Sequence, residues 1–137
     1  MILPRKISID FDPQNLDLMY RRLQEVKWPD VIGEDSWDYG VPRSWLQEMV
    51  QYWVSEWDWA KVQGEMNQWD HYIVDIEGIP IHYLYASGKG PAPKPLILTH
   101  GWPWTFWDFK DVIGPLSDPE KYGGNPEDSF DVYVPSL

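Results

Sequence analysis

The 137-residue sequence predicts an α/β chain. Three observations predict it: helical spacing of apolar residues in the first half, two-residue alternation in the middle, and a strand–turn–helix–strand run at the end. Residues 1–69 read as a helical region, and residues 70–137 as the first part of a sheet-centred core.

In the helical region, Asp12-Pro13 offers an N-cap followed by a proline at the first helical position. Leu16, Met19, Tyr20, Leu23 and Val26 then keep helical spacing, and Trp28-Pro29 closes the segment. A loop follows through Gly33 and Gly40. Pro42 opens a second helix with Trp45, Leu46, Met49, Val50, Trp53 and Trp57 on one stripe. Asp58 caps a third, carrying Trp59, Val62, Met66 and Trp69.

The period then changes. Tyr72, Val74 and Ile76 alternate, as do Ile79, Ile81, Tyr83 and Tyr85, and Glu77-Gly78 between them marks an antiparallel hairpin. After a Gly/Pro-rich connection, residues 95–100 form a continuous apolar run, expected as a strand buried on both faces. Gly101-Trp102-Pro103 breaks it. A helix is expected from Thr105 to Leu116, with Phe106, Phe109, Val112, Ile113 and Leu116 inward, and residues 130–135 supply another strand.

Composition excludes several functions. A net charge of -11 with no basic cluster repels phosphate backbones, so no nucleic-acid partner is expected. With no cysteine there is no disulfide, thiolate metal site or cysteine nucleophile. No run approaches the roughly 20 apolar residues of a membrane span. Met1-Ile2-Leu3-Pro4 does not open a signal peptide, so a cytoplasmic protein is expected. Tryptophan is the outlier: ten, seven of them before residue 70, more large rings than a small domain easily covers.

Chemistry-bearing motifs are few. There is no Gly-x-Ser-x-Gly or Gly-x-Asp-x-Gly elbow, the Ser87–Gly90 stretch lacks P-loop spacing, and the loop from Asp118 fails as an EF-hand because its twelfth place is Ser129. His71 and His82 approach each other on the hairpin, but without a third ligand no metal or other cofactor is expected. Asp108 and Asp111 read as helix-start charges rather than an acid–base pair.

One run carries more. Leu98-Thr99-His100-Gly101-Trp102-Pro103, followed by Phe106-Trp107-Asp108-Phe109 and Ile113-Gly114-Pro115-Leu116, resembles the His-Gly-x-Pro segment of α/β-hydrolase-fold epoxide hydrolases. Upstream, Arg22-Leu23, Trp28-Pro29, Trp37-Asp38-Tyr39-Gly40, Tyr52-Trp53, Asp58-Trp59 and Glu65-Met66-Asn67 resemble the N-terminal region of the microsomal class. The final Val134-Pro135-Ser136-Leu137 is similar to the strand before that family's nucleophile turn.

The resemblance implies the N-terminal portion of an α/β-hydrolase fold: a helical extension, then strands one to four of a sheet ordered 1-2-4-3-5. It implies that an Asp attacks an epoxide carbon, that a His-activated water cleaves the resulting alkyl-enzyme ester, and that N–H donors hold the oxyanion. The nucleophile, acid, base His and lid tyrosines lie outside this chain. The loop maps to His100, Gly101, Trp102 and Pro103, with the Trp102 backbone N–H as oxyanion donor and Pro103 fixing the loop through a cis bond. His100 orders the loop rather than serving as base, and a helix from Thr105 adds a positive dipole end.

Where the family carries Gly-Ser this chain has Trp104-Thr105; a positive φ at that glycine would strain Trp104, while Thr105 suits an N-cap. The implied partners are a small apolar epoxide and the remainder of the hydrolase domain, covalent or as a second chain, and a homo-oligomer stays open. The competing expectation is a non-catalytic relative that binds a partner or apolar ligand through its tryptophans.

Overall fold

A computed structural model describes residues 3–33 and 35–137. The chain divides into two compact units, residues 10–63 and residues 1–9 with 64–137.

The first unit is helical. α1 (Pro13–Gln24) starts as the sequence dictates: Asp12 accepts from the Gln14 N–H at 2.9 Å, and Pro13 fills N1. Arg21 and Arg22 sit in the last turn, where the dipole favours cations. α2 (Arg43–Ser55) has Pro42 at its N-cap, which cannot supply a side-chain oxygen. Asp35 supplies both oxygens instead, taking the Arg43 and Ser44 N–H groups at 2.6 and 3.1 Å. Hydrogen bonds from Ser44 and then Arg43 hold the Asp35 carboxyl below its usual pKa. α3 (Trp59–Met66) begins after Asp58, which accepts from the Lys61 N–H at 3.0 Å.

Packing in this unit is aromatic and edge-to-face. Phe11 meets Trp59 at 5.7 Å between ring centres, Trp59 meets Trp57 at 6.0 Å, and Trp57 meets Tyr52 at 6.0 Å. The predicted α2 stripe is only part-covered: Trp57 is half-buried, but Trp45 and Trp53 are 42% and 43% exposed.

The second unit is a five-stranded sheet ordered β1-β2-β3-β5-β4. β2 (Asp70–Ile76) and β3 (Ile79–Ala86) form the predicted hairpin. Its turn residues Glu77 and Gly78 both have positive φ, 55° and 84°, the mirror-image turn whose twist matches the strands. β5 (Phe130–Pro135) pairs antiparallel with β3, and β4 (Lys94–Ile97) pairs parallel with β5. That parallel pair needs a crossover, supplied by a 3-10 helix (Phe106–Phe109) running into α4 (Lys110–Ser117). The hairpin and the two later strands thus take the expected 1-2-4-3 order.

Two expectations change. The region read as helices and a loop also contains a strand: β1 (Arg5–Ile7) pairs antiparallel with β2. Three residues are too few for periodicity to register. The strand read as buried on both faces is open to solvent, with Ile97 66% exposed, because strands one to four of a 1-2-4-3-5 order leave the third at the edge of the sheet, as expected.

The core lies between one sheet face and α4. Leu84, Ala86, Val132, Val134 and Ile113 are buried, with Trp69, Leu98, Phe106, Phe109, Leu116 and Phe130 packed around them. Val112, expected inward, is 44% exposed, because the first turn is 3-10 and rotates the α4 face away from a continuous helical register. The opposite sheet face carries Tyr72, Tyr83, Tyr85 and Tyr133 in mutual ring contact, with Tyr85 donating to Asp131 at 3.1 Å. No described helix is long and apolar enough to cross a membrane.

Candidate active-site loop

In an open sheet, ligands gather where parallel strands end. Here those ends are Ile97 of β4 and Pro135 of β5. The ladder runs one residue further, the Leu98 N–H donating to the Tyr133 carbonyl at 2.9 Å. Beyond it all four expected site residues lie in one short segment.

Gly101 to Trp104 is a tight turn closed by the Trp104 N–H donating to the Gly101 carbonyl at 2.8 Å. The Trp102–Pro103 bond at its centre is cis, as the resemblance implied, which makes this a type VI turn. Trp104 is not among the residues with positive φ, so its backbone carries no left-handed strain. Among the described residues the Trp102 backbone N–H has no acceptor. Its side chain is 94% exposed.

His100 ties the strand ends together. Its Nε2 accepts from the Leu137 N–H at 3.2 Å, which leaves the proton of a neutral ring on Nδ1. That Nδ1 is buried and has no partner among the described residues. Thr99, His100, Gly101, Trp104, Asp108 and Phe109 line a concavity of about 340 Å³.

The helix after the turn opens with a capping box. Thr105 Oγ1 takes the Trp107 N–H at 3.2 Å, and Asp108 returns a carboxylate oxygen to the Thr105 N–H at 2.8 Å. The expected dipole contribution is therefore largely spent, since these first-turn donors are satisfied locally beside a negative carboxylate. The Thr-x-x-Asp spacing was present in the sequence and would have revealed the box.

The two hairpin histidines do meet. His71 Nδ1 lies 3.0 Å from His82 Nε2, His71 Nε2 lies 2.9 Å from the Met66 carbonyl, and His82 Nδ1 lies 2.7 Å from Ser136 Oγ. All four ring nitrogens are thus engaged. Burial, then the neighbouring His71, holds the His82 pKa below its ordinary value. Among the described residues no cluster of three or more His, Cys, Asp or Glu could hold a metal ion. Sequence reading missed Ser136, because nothing local links it to a residue 54 positions earlier.

A hairpin followed by a parallel strand pair, with a cis-proline turn at the strand ends, defines the opening of an α/β-hydrolase core. The epoxide hydrolase N-terminus family model matches residues 4–109. A Stigmatella aurantiaca protein named “Putative epoxide hydrolase” is 38% identical across 99% of this chain and 30% of its own length. Rabbit (Oryctolagus cuniculus) epoxide hydrolase 1 is 28% identical across 97% of this chain and 30% of its own. Among solved structures, Aspergillus niger epoxide hydrolase superposes with a TM-score of 0.84 at 26% identity, covering 99% of this chain and 35% of that one. This chain belongs to the epoxide hydrolase N-terminus family, and it spans about 30% of the length of these curated relatives.

Proposed function

We propose that this chain forms the amino-terminal part of an epoxide hydrolase, which adds water to a small apolar epoxide to give a vicinal diol. One observation carries the reading: in a member of this family, the Gly101–Trp104 turn stands at the parallel strand ends with the Trp102 N–H unspent. An N–H that no carbonyl of its own chain claims is what an oxyanion needs, because it can meet the developing charge without breaking a bond of the fold. In this reading Trp102 donates to the oxyanion formed as water attacks the alkyl-enzyme ester. His100 and Gly101 fix the approach to the turn and Pro103 fixes its centre. The nucleophile, acid and base come from the remainder of the hydrolase domain, covalent or as a second chain, and the reading places the enzyme in the cytoplasm.

The test uses the complete hydrolase and an aromatic epoxide. Diol should form through an ester that single-turnover kinetics resolves. Pro103→Ala should slow ester breakdown about a hundredfold, the usual loss for one oxyanion donor at ~3 kcal/mol, and slow ester formation less. Wild-type protein that forms no diol, or a variant with an unchanged breakdown rate, would overturn the reading.

A second reading is favoured by the exposed Trp37, Tyr39, Trp45 and Trp53. Here the chain is a non-catalytic module that binds a partner or apolar ligand through those rings. A stable monomer of this chain alone would support it.

A further inference from the structure

We propose that His71, His82 and Ser136 form a positioning relay that sets the end of β5 against the Gly101–Trp104 turn; the role rests on the oxyanion reading above. The direction of every bond in the relay follows from one group. The Met66 carbonyl can only accept, so the His71 Nε2 at 2.9 Å carries a proton. In a neutral ring His71 Nδ1 is then an acceptor, so the His82 Nε2 facing it at 3.0 Å is the donor. His82 Nδ1 is left as an acceptor, and the Ser136 hydroxyl donates to it at 2.7 Å. Each site is used once and no alternative tautomer satisfies the set.

The relay ends where the site begins. The Ser136 backbone N–H also donates to the His82 carbonyl at 2.9 Å, so one residue is held by both its backbone and its side chain. The next N–H, that of Leu137, goes to His100 Nε2. Two successive residues beyond β5 are therefore fastened, one to the hairpin and one to the loop. The two imidazole planes lie within 15° of each other with centres 5.2 Å apart, the near-coplanar arrangement that an in-plane bond between ring nitrogens requires. The Phe106 ring meets both edge-on, at 5.6 and 5.0 Å, directly after the Thr105 cap.

An aliphatic pair would fill this space as well. His71 is only 1% exposed, and burying so polar a ring is costly unless its nitrogens are paired. What the histidines add is direction: a hydrogen bond fixes Ser136 along a line, whereas apolar contact fixes only volume. Burial supports the neutral state of His82.

The test uses the complete hydrolase labelled with ¹⁵N-histidine. Long-range ¹⁵N–¹H spectra should show both His71 and His82 protonated at Nε2. Ser136→Ala should shift the His82 Nδ1 resonance and the His100 Nε2 resonance. It should slow ester breakdown about fivefold, as for one lost neutral hydrogen bond, with ester formation nearly unchanged. Ser136→Thr, which keeps the hydroxyl, should restore both. A purely structural serine would slow both half-reactions together. That result, an Nδ1-protonated His82, or an unmoved His100 signal in Ser136→Ala overturns the relay. Should the wild type form no ester, the functional reading fails by itself; the relay then stands or falls on whether Ser136→Ala moves the His100 resonance.

Discussion

Thr105 and Asp108 satisfy each other reciprocally at the helix that follows the cis-proline turn. The Thr105 side chain covers a first-turn N–H, and the Asp108 carboxylate covers the Thr105 N–H at 2.8 Å. Two acidic residues at i and i+3 invite a catalytic reading, but Asp108 is committed to the backbone. Asp108→Ala and Thr105→Ala should each destabilise the complete hydrolase by ~1 kcal/mol, and the double variant by less than their sum, because either change breaks the same box. Urea unfolding of the four proteins reads this; strict additivity would contradict a shared cap.

Trp53 gives a prediction that depends on context. Its ring is 43% exposed in this chain. Trp53→Ala should therefore cost only ~1 kcal/mol where that face stays open. It should cost ~3 kcal/mol or more in the complete hydrolase if the remainder buries the ring. Thermal unfolding of the complete hydrolase and its Trp53→Ala variant tests it, and a loss of only ~1 kcal/mol there would show that the face is not covered.

His82 sets a pH dependence whose sign is fixed. Its folded pKa lies below the ordinary 6.5, through desolvation and then His71, so the unfolded chain binds the proton more readily. The stability it contributes is complete above pH 6.5 and is lost as pH falls through the lowered folded value. Denaturant midpoints of the complete hydrolase should drop between pH 8 and pH 5, and His82→Gln should flatten that slope. An identical slope in the variant would remove His82 from the account.

This chain alone should form neither a well-behaved monomer nor an active enzyme. β4 leaves an unpaired edge with Ile97 66% exposed, beside a tyrosine face that carries exposed Ile76 and Ile79. Leaving five or six large side chains wet forfeits on the order of 10 kcal/mol, about the whole stability of a domain. Light scattering after size exclusion should find association, and an aromatic epoxide should not turn over. A monodisperse monomer, or turnover that follows the protein through purification, would refute these.

The sequence made some features legible and hid others for physical reasons. The hairpin was readable because alternation, Glu77-Gly78 and a second alternation are all local signals. The caps at Asp12 and Asp58 were readable for the same reason. The Gly101–Trp104 turn came from resemblance, since no local rule predicts a cis bond at Pro103. Asp35 as the cap of α2 was not visible, because the sequence signal for a cap sits at Pro42 and the oxygens arrive from a loop. Ser136 was invisible because its partner depends on strand register across β3 and β5.

Asn67 and Ile9 close a ring in the chain. The Asn67 amide accepts from the Ile9 N–H and donates to the Ile9 carbonyl, both at 2.8 Å, just beyond the strand that pairs Arg5–Ile7 with β2. The backbone thus leaves the sheet and re-enters it at one doubly bonded clasp, with the helical residues as an excursion between. Such an excursion is a cassette: loop-closure entropy grows only as the logarithm of length, so a short linker from Ile9 to Gly64 would leave the strand pairing thermodynamically accessible. Evolution can therefore enlarge, trim or exchange the helical residues while the register of the sheet, and with it the turn at Pro103, stays where it is.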